Sequence, residues 1–408
     1  MSPTTDGPAI LGTRRTLREV IETLAPIDRT PCSAGEREAA EWLHQRFKAI
    51  EGVDVAIEDE PSWGTFPPTS TALGAMGIAA AALVLAGRRS AGALASAVTL
   101  AGIVDEAQNG PRVFRRLVRR RRSTVNVVAR IGDPAAERTV VVHAHHDAAQ
   151  TGVIFDQTLV RTLYERYPDR IGSLKTSVPN WWLGLSGPLA TLAGAMSGRR
   201  AAAKAGLGIG VLATSLIADI WRNDTVPGAN DNLSGVAGLV ALAELLAADP
   251  PPGLRVLFAS CGAEETLQDG IRAFVARHDH ELPRDTTVFI NLDQLGSPNL
   301  CMLEAEGPVW MEEYPGEWLR DQFARAADRL QIPLERGFRA RSSTDGVIPG
   351  RRGHATTTIF SLMDWRLIGD YHLPSDLPEN IDYATASDAV RLVHTVIGEL
   401  SQPAAAAA

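Results

Sequence analysis

Lysine is nearly missing from this chain: of 40 lysines and arginines only three are lysine (Lys48, Lys175 and Lys204), a bias read, with the alanine excess, as codon usage. Cysteine is as scarce. Cys32, Cys261 and Cys301 are an odd set too small for a disulfide framework, which fits a reducing compartment. Positive charge is not in excess either, and a formal net charge of -8 argues against nucleic acid as the main partner. The first thirty residues are polar, charged and proline-containing. They lack the apolar core of roughly 7–15 residues that a secretory signal needs, so export by that route is not expected. What remains is globular: 45% hydrophobic and 22% charged residues over 408 positions allow a large core. The length suits roughly two to three domains, or one large α/β domain with insertions.

Two pairs of segments stand apart from this soluble pattern. Ala72 to Gly87 and Ala91 to Val104 have no polar face, with Arg88 and Arg89 between them and a run of seven arginines (Arg112 to Arg122) beyond. Leu183 to Gly198 and Ala205 to Ile220 repeat the pattern around Arg199, Arg200 and Lys204. They read as two apolar helical hairpins. Segments of about 14–18 residues reach roughly 21–27 Å, a little short of a ~30 Å hydrocarbon core. Trp181, Trp182 and Trp221 sit where an interfacial aromatic belt would, and the arginine run where positive charge marks a cytoplasmic face. A helix apolar all round must be buried in something. The expectation is membrane association through residues 72–104 and 181–221 with the catalytic part cytoplasmic; a soluble four-helix cap is the alternative.

Outside the hairpins, strands alternate with helices, which predicts an α/β fold around a mixed, mostly parallel sheet flanked by helices. Residues 1–13 and Ala404 to Ala408 read as loose tails. Strands are expected at Val125 to Ile131 and Thr139 to Val142, joined by the Gly132-Asp133-Pro134 turn, and at Leu254 to Ser260, Thr287 to Leu292 and Thr356 to Ser361. Ligands in such sheets bind beyond the carboxyl ends of strands, where five polar sites fall. His143-Ala-His145-His146-Asp147 follows the second of these strands, and only His145 has an Asp two residues on to hold its other ring nitrogen or nearby backbone. Asp231, in Gly228-Ala-Asn-Asp-Asn-Leu-Ser-Gly235, sits on a turn before an apolar helix, where free N–H groups favour a carboxylate able to bridge two cations. Glu264 and Glu265 turn a strand-to-helix corner, so one can bind a metal while the other stays free as a base. Asp293 closes an apolar strand, an expensive place unless it is paired or coordinated. His372 lies in a long, proline-punctuated loop running from Asp370 to Asp382. Nitrogen and oxygen donors without thiolate suit Zn²⁺.

Order and local sequence resemble the co-catalytic zinc aminopeptidases, whose kin include bacterial leucyl aminopeptidases, aminopeptidase Y, glutamate carboxypeptidase II and the glutaminyl cyclases. Their pattern runs H-x-D, G-A-x-D-N-x-S-G, E-E, N-x-D-x-x-G and Y-H-x-x-x-D. The resemblance implies two zinc ions, one held by His145, Asp231 and Asp293 and the other by Asp231, Glu265 and His372. It makes Glu264 the general base, counts Asp147, paired with His145, as a second catalytic residue, and implies a peptide or aminoacyl amide as substrate. Gln294 and His146 depart from the usual pattern. The implied catalytic domain spans residues 14–70, 123–180 and 222–403, interrupted by hairpins at 71–122 and 181–221; the second hairpin begins and ends near ligands and is expected to roof the site. Glutaminyl-cyclase-like acyl transfer and a non-catalytic binding scaffold are the rival readings.

Overall fold

The computed structural model describes residues 8–402. The tail expected at Ala404 to Ala408 lies outside that range, as do residues 1–7 of the N-terminal one; residues 8–13 are already helical. In chain order the elements begin with α1 (Pro8–Leu24), α2 (Ala34–Lys48), β1 (Asp54–Ser62), α3 (Pro67–Leu85), α4 (Arg89–Ala107) and α5 (Val113–Val118). Next come β2 (Arg122–Gly132), β3 (Arg138–His145), α6 (Thr158–Arg166), α7 (Pro168–Gly172), α8 (Trp181–Ser197) and α9 (Arg200–Arg222). They are followed by α10 (Ser234–Ala248), β4 (Leu254–Cys261), α11 (Asp269–His278), β5 (Thr287–Leu292), β6 (Asn299–Glu306) and β7 (Glu312–Glu313). The chain closes with α12 (Glu317–Leu330), β8 (Glu335–Ala340), α13 (Val347–Arg351), β9 (Ala355–Leu362) and α14 (Tyr383–Ser401).

The nine strands form one mixed sheet in the order β1-β2-β4-β3-β5-β9-β6-β7, with β8 beside β6. Parallel pairing runs through the centre, β4-β3-β5-β9, while β1-β2, β2-β4, β9-β6 and β6-β7 are antiparallel. The strands expected at 125–131 and 139–142 are therefore not a hairpin: β4 lies between them, and Gly132-Asp133-Pro134 only leads from one to the other. Strands β6 to β8 escaped the sequence reading because Glu304, Glu306, Glu335, Arg336 and Arg339 break up their apolar pattern. The main core lies on one face, where α1 presents Leu17, Val20, Ile21 and Leu24 at helical spacing and α14 presents Val390, Val393 and Ile397. Helix α10 is apolar all round because it is buried between that sheet face, α1 and α14, not because it meets lipid; 11 of its 15 residues are buried.

Both apolar hairpins are present and longer than read. Helix α3 has 19 residues and α9 has 23, about 28 and 34 Å in length. The four helices pack on one another through small residues, which lets the backbones approach closely. A Cβ added at Gly74 would stand 2.2 Å from Thr214 Oγ1, and one at Gly187 3.0 Å from the Gly210 nitrogen. Arg89 at one hairpin tip donates to the carbonyl of Ala195 (2.9 Å) and to that of Met196 (3.2 Å), serving the free C-terminal end of α8. The arginine run is only partly a charged surface. Arg112 and Arg115 are buried against Asp269 and Glu106, which ties the hairpin to the stretch after β4.

Candidate metal centre

The parallel strands β4, β3, β5 and β9 end side by side, and the five sequence sites meet there. His145 is the last residue of β3, Asp293 follows β5, Glu264 and Glu265 follow β4, and His372 lies on the loop after β9. Asp231 arrives from the other direction, on an irregular turn capping α10 whose Asp231–Asn232 peptide is cis. His145 Nε2 lies 3.3 Å from Asp231 Oδ1 and 3.8 Å from Asp293 Oδ1. His372 Nε2 lies 3.1 Å from Asp231 Oδ2 and 3.2 Å from Glu265 Oε1. Each oxygen of Asp231 thus faces a different histidine.

These atoms are buried, yet neither oxygen of Asp231, neither nitrogen of His372, nor Asp293 Oδ1 has an aligned hydrogen bond. Donors that crowd together without bonding to one another are aimed at a common centre. The triads His145-Asp231-Asp293 and Asp231-Glu265-His372 each offer ligand atoms within 4.8 Å of one another, matching zinc bonds of about 2.0–2.2 Å. His145, Glu264 and Glu265 form a third such group, so Glu264 stands beside the same centre. The donor set and its burial fit a divalent cation. Burial raises the Glu264 carboxyl well above its ordinary range, helped by Glu265, Asp345 and Asp293, and takes Asp293 to about 7. For His372 burial opposes the charge, but Glu265 and Asp231 outweigh it and lift the imidazole to about 10.

The supporting layer explains why the donors hold still. Asp147 accepts the backbone N–H groups of Glu264 (2.9 Å) and Glu265 (3.0 Å), and it lies 3.5 Å from His145 Nδ1. It positions the other groups and does not face the centre. Three non-glycine residues in the left-handed region, Ala263, Leu267 and Gln268, bracket the two glutamates, a conformation costing about 1–3 kcal/mol each. It is held by Ala263 N–H donating to Glu36 Oε1 (2.9 Å) and Gln268 Nε2 donating to Ser343 O (3.1 Å). Asp376 accepts the N–H groups of Asn230 (2.6 Å) and Asp231 (3.0 Å), fixing the bridging turn. Tyr371 stacks on His372 with centroids 3.8 Å apart, and Phe155 meets the same ring at 4.4 Å.

Of the three histidines at the end of β3 and just after it, His143 and His146 belong elsewhere. His143 is buried against Phe289 and desolvation lowers it to about 3; His146 bonds Ser260 Oγ at 3.0 Å. The sequence reading missed Asp345, a fully buried carboxyl with no hydrogen-bond partner, raised by burial and sharing the field of His145 and Asp293. It also missed Arg29, the buried cation behind the site, whose guanidinium donates to carbonyls of His146 (2.9 Å), Leu24 (2.6 Å) and Pro227 (2.7 Å).

Residues 217–397 match the model of peptidase family M28. The chain carries a peptidase family M28 domain. Over 73 residues the chain is 40% identical to a Mycobacterium tuberculosis protein named "Probable lipoprotein aminopeptidase LpqL", a match spanning 18% of this chain and 15% of that one. Solved structures share the fold at low identity. An aminopeptidase from Aneurinibacillus sp. strain AM-1 superposes at TM-score 0.53 and 14% identity, covering 96% of this chain and 94% of its own. A Zn-dependent exopeptidase from Parabacteroides distasonis gives 0.52 and 16%, covering 94% and 97%. A glutaminyl cyclase from Fimbriiglobus ruber gives 0.55 and 15%, covering 96% and 95%.

Proposed function

We propose that the protein is a zinc-dependent aminopeptidase that hydrolyses peptide or aminoacyl amide bonds with two ions, one held by His145, Asp231 and Asp293 and the other by Asp231, Glu265 and His372. The observation that carries this reading is the pair of buried triads sharing Asp231. Zinc held by these residues would supply Lewis acidity, making water a better nucleophile and a carbonyl a better electrophile at neutral pH. Glu264 then accepts the proton of the attacking water and returns it to the leaving nitrogen as the C–N bond breaks, giving a carboxylic acid and an amine. General-base roles of this kind are worth typically ~10²–10⁴-fold. Asp147, Glu36 and Gln268 keep the base in place. Glu264→Gln is expected to lose turnover by that factor with the metal content unchanged; full activity in this variant would refute the assignment of the base. Glutaminyl-cyclase-like acyl transfer at one zinc uses the same fold, and two ions per chain by metal analysis would disfavour it. A non-catalytic scaffold would leave the buried donors and Glu264 without a purpose.

The division into a catalytic domain (14–70, 123–180 and 222–403) with hairpins at 71–122 and 181–221 belongs to the same proposal, as does membrane association of α3, α4, α8 and α9. Helices α3 and α9 are long and apolar enough to cross a bilayer. Leu94, Val98, Leu189, Met196 and Leu212 point outward from the four helices, with Trp182 and Trp221 exposed toward one end. The cytoplasmic orientation rests on the arginines left after Arg112 and Arg115 are withdrawn into buried pairs. Flotation with anionic vesicles is the test: recovery of the full chain in the dense fraction would refute membrane association.

A further inference from the structure

One cavity of about 450 Å³ joins the metal-binding carboxylates to the interior of the helical hairpins. At one end it is lined by His145, Asp231 and Glu264; at the other by Gly77 of α3, Gly184 of α8, and Gly210 and Ile217 of α9. Gly77 lies about ten residues into α3 and Gly210 about ten before the end of α9, so the cavity follows the helices for roughly 15 Å. A site for one amino-acid side chain needs no such depth.

The chemistry of the wall limits what can lie there. Among the described residues, the four helices line the cavity with no charged side chain, and their side-chain polar groups there are the Ser70 and Thr214 hydroxyls and the indole N–H of Trp181. Thr214 Oγ1 already donates to the Gly210 carbonyl at 2.7 Å. A peptide in this part would bury an N–H and a C=O at every residue against little more than the unpaired Ser70 hydroxyl and the Trp181 indole, a cost that weighs heavily against it. Water is no better served, since apolar cavities stay dry and take apolar guests. A hydrocarbon chain meets both conditions. We propose that the substrate is an amide bearing a long, unbranched apolar chain, which lies between α3, α8 and α9 while the amide sits at the metal centre. The inference rests on the hydrolase reading above and names its substrate class: the same C–N bond breaks, and one of the two products keeps the chain.

The wall offers a clean test at Gly184, where nothing lies within 4 Å of the position a Cβ would occupy. A large side chain there fills the cavity without displacing a neighbour. Gly208 on α9 is equally open but exposed and off the cavity, and serves as control. Full-length, zinc-loaded protein is assayed on two series with butyl, octyl and dodecyl chains. One places the chain on the acyl side, as the side chain of an aminoacyl anilide, and the other on the amine side, as leucyl N-alkylamides. In one series kcat/KM is expected to rise up to about fourfold per methylene buried, and the series that rises identifies the side of the scissile bond. Gly184→Trp flattens that slope relative to its own shortest substrate; Gly208→Trp does not, which separates cavity binding from partition into detergent. Gly184→Leu, a smaller change, flattens it in part. A dansylated undecyl amide is titrated against metal-free protein in parallel, and its binding is expected to weaken at least tenfold in Gly184→Trp. Hydrolysis of the short substrates with no slope in either series overturns this inference and leaves the peptidase reading standing. No hydrolysis of any substrate overturns that reading, and the dansyl titration then decides the cavity alone: equal binding by wild type and Gly184→Trp refutes it.

Discussion

Replacing Arg115 by methionine tests whether the arginine run acts as a fastener for the catalytic loop. Arg115 and Glu106 are both fully buried, with Nε 2.8 Å from Glu106 Oε2. A second guanidinium nitrogen of Arg115 donates to the carbonyl of Thr266, two residues past Glu264. Methionine keeps most of the volume but leaves a desolvated carboxylate without its partner, a loss of about 3–5 kcal/mol. Against a typical total stability of about 5–15 kcal/mol that is a large fraction. The cost belongs mainly to the stranded charge, so adding Glu106→Leu removes its source. The double variant is expected to recover more than half of the loss, a coupling of up to about 3 kcal/mol. Urea unfolding of the zinc-loaded protein in detergent, followed by tryptophan fluorescence, gives both numbers. A single-variant loss under about 1 kcal/mol, or a double variant no more stable than the single, would refute the reasoning.

Two further predictions follow from the same geometry. Asp231→Asn should lose both ions because each Asp231 oxygen faces a different triad, whereas Asp293→Asn should lose only one; plasma emission analysis after dialysis separates these outcomes. His278 sits 3.0 Å from Glu58 and also pairs with Glu281; burial opposes its charge, but the two carboxylates outweigh it and raise its pKa above 6.5. A folded-state pKa raised in this way stabilises fully below the unfolded value and fades as pH climbs through the folded one. His278→Gln should therefore be most destabilising near about pH 6 and approach wild type at alkaline pH. A stability difference that grows with pH would contradict that sign.

The residues that meet at the candidate centre could be picked out of the sequence, His145, Asp231 and Asp293 by local signals (an Asp two residues on, an Asn/Asp/Gly turn before an apolar helix, an acid closing an apolar strand), and the full set with Glu265 and His372 by the family resemblance. The supporting groups could not. Arg29 lies almost two hundred residues from the Pro227 carbonyl it holds, and Asp345 looks like any polar loop residue until the fold brings it to the cluster. Charge was misread in the same way: Arg112 and Arg115 resemble their exposed neighbours in the run, and only packing reveals that they meet Asp269 and Glu106. The α/β alternation and the hairpins are written in periodicity, which any short window displays. The place of β4 between β2 and β3, and the cavity linking the hairpins to the metal centre, depend on contacts between distant segments. By itself the sequence determined which side chains are candidate cation donors and which helices must bury an apolar surface. Tertiary structure alone decided that the two meet, because burial and proximity belong to no single stretch of chain.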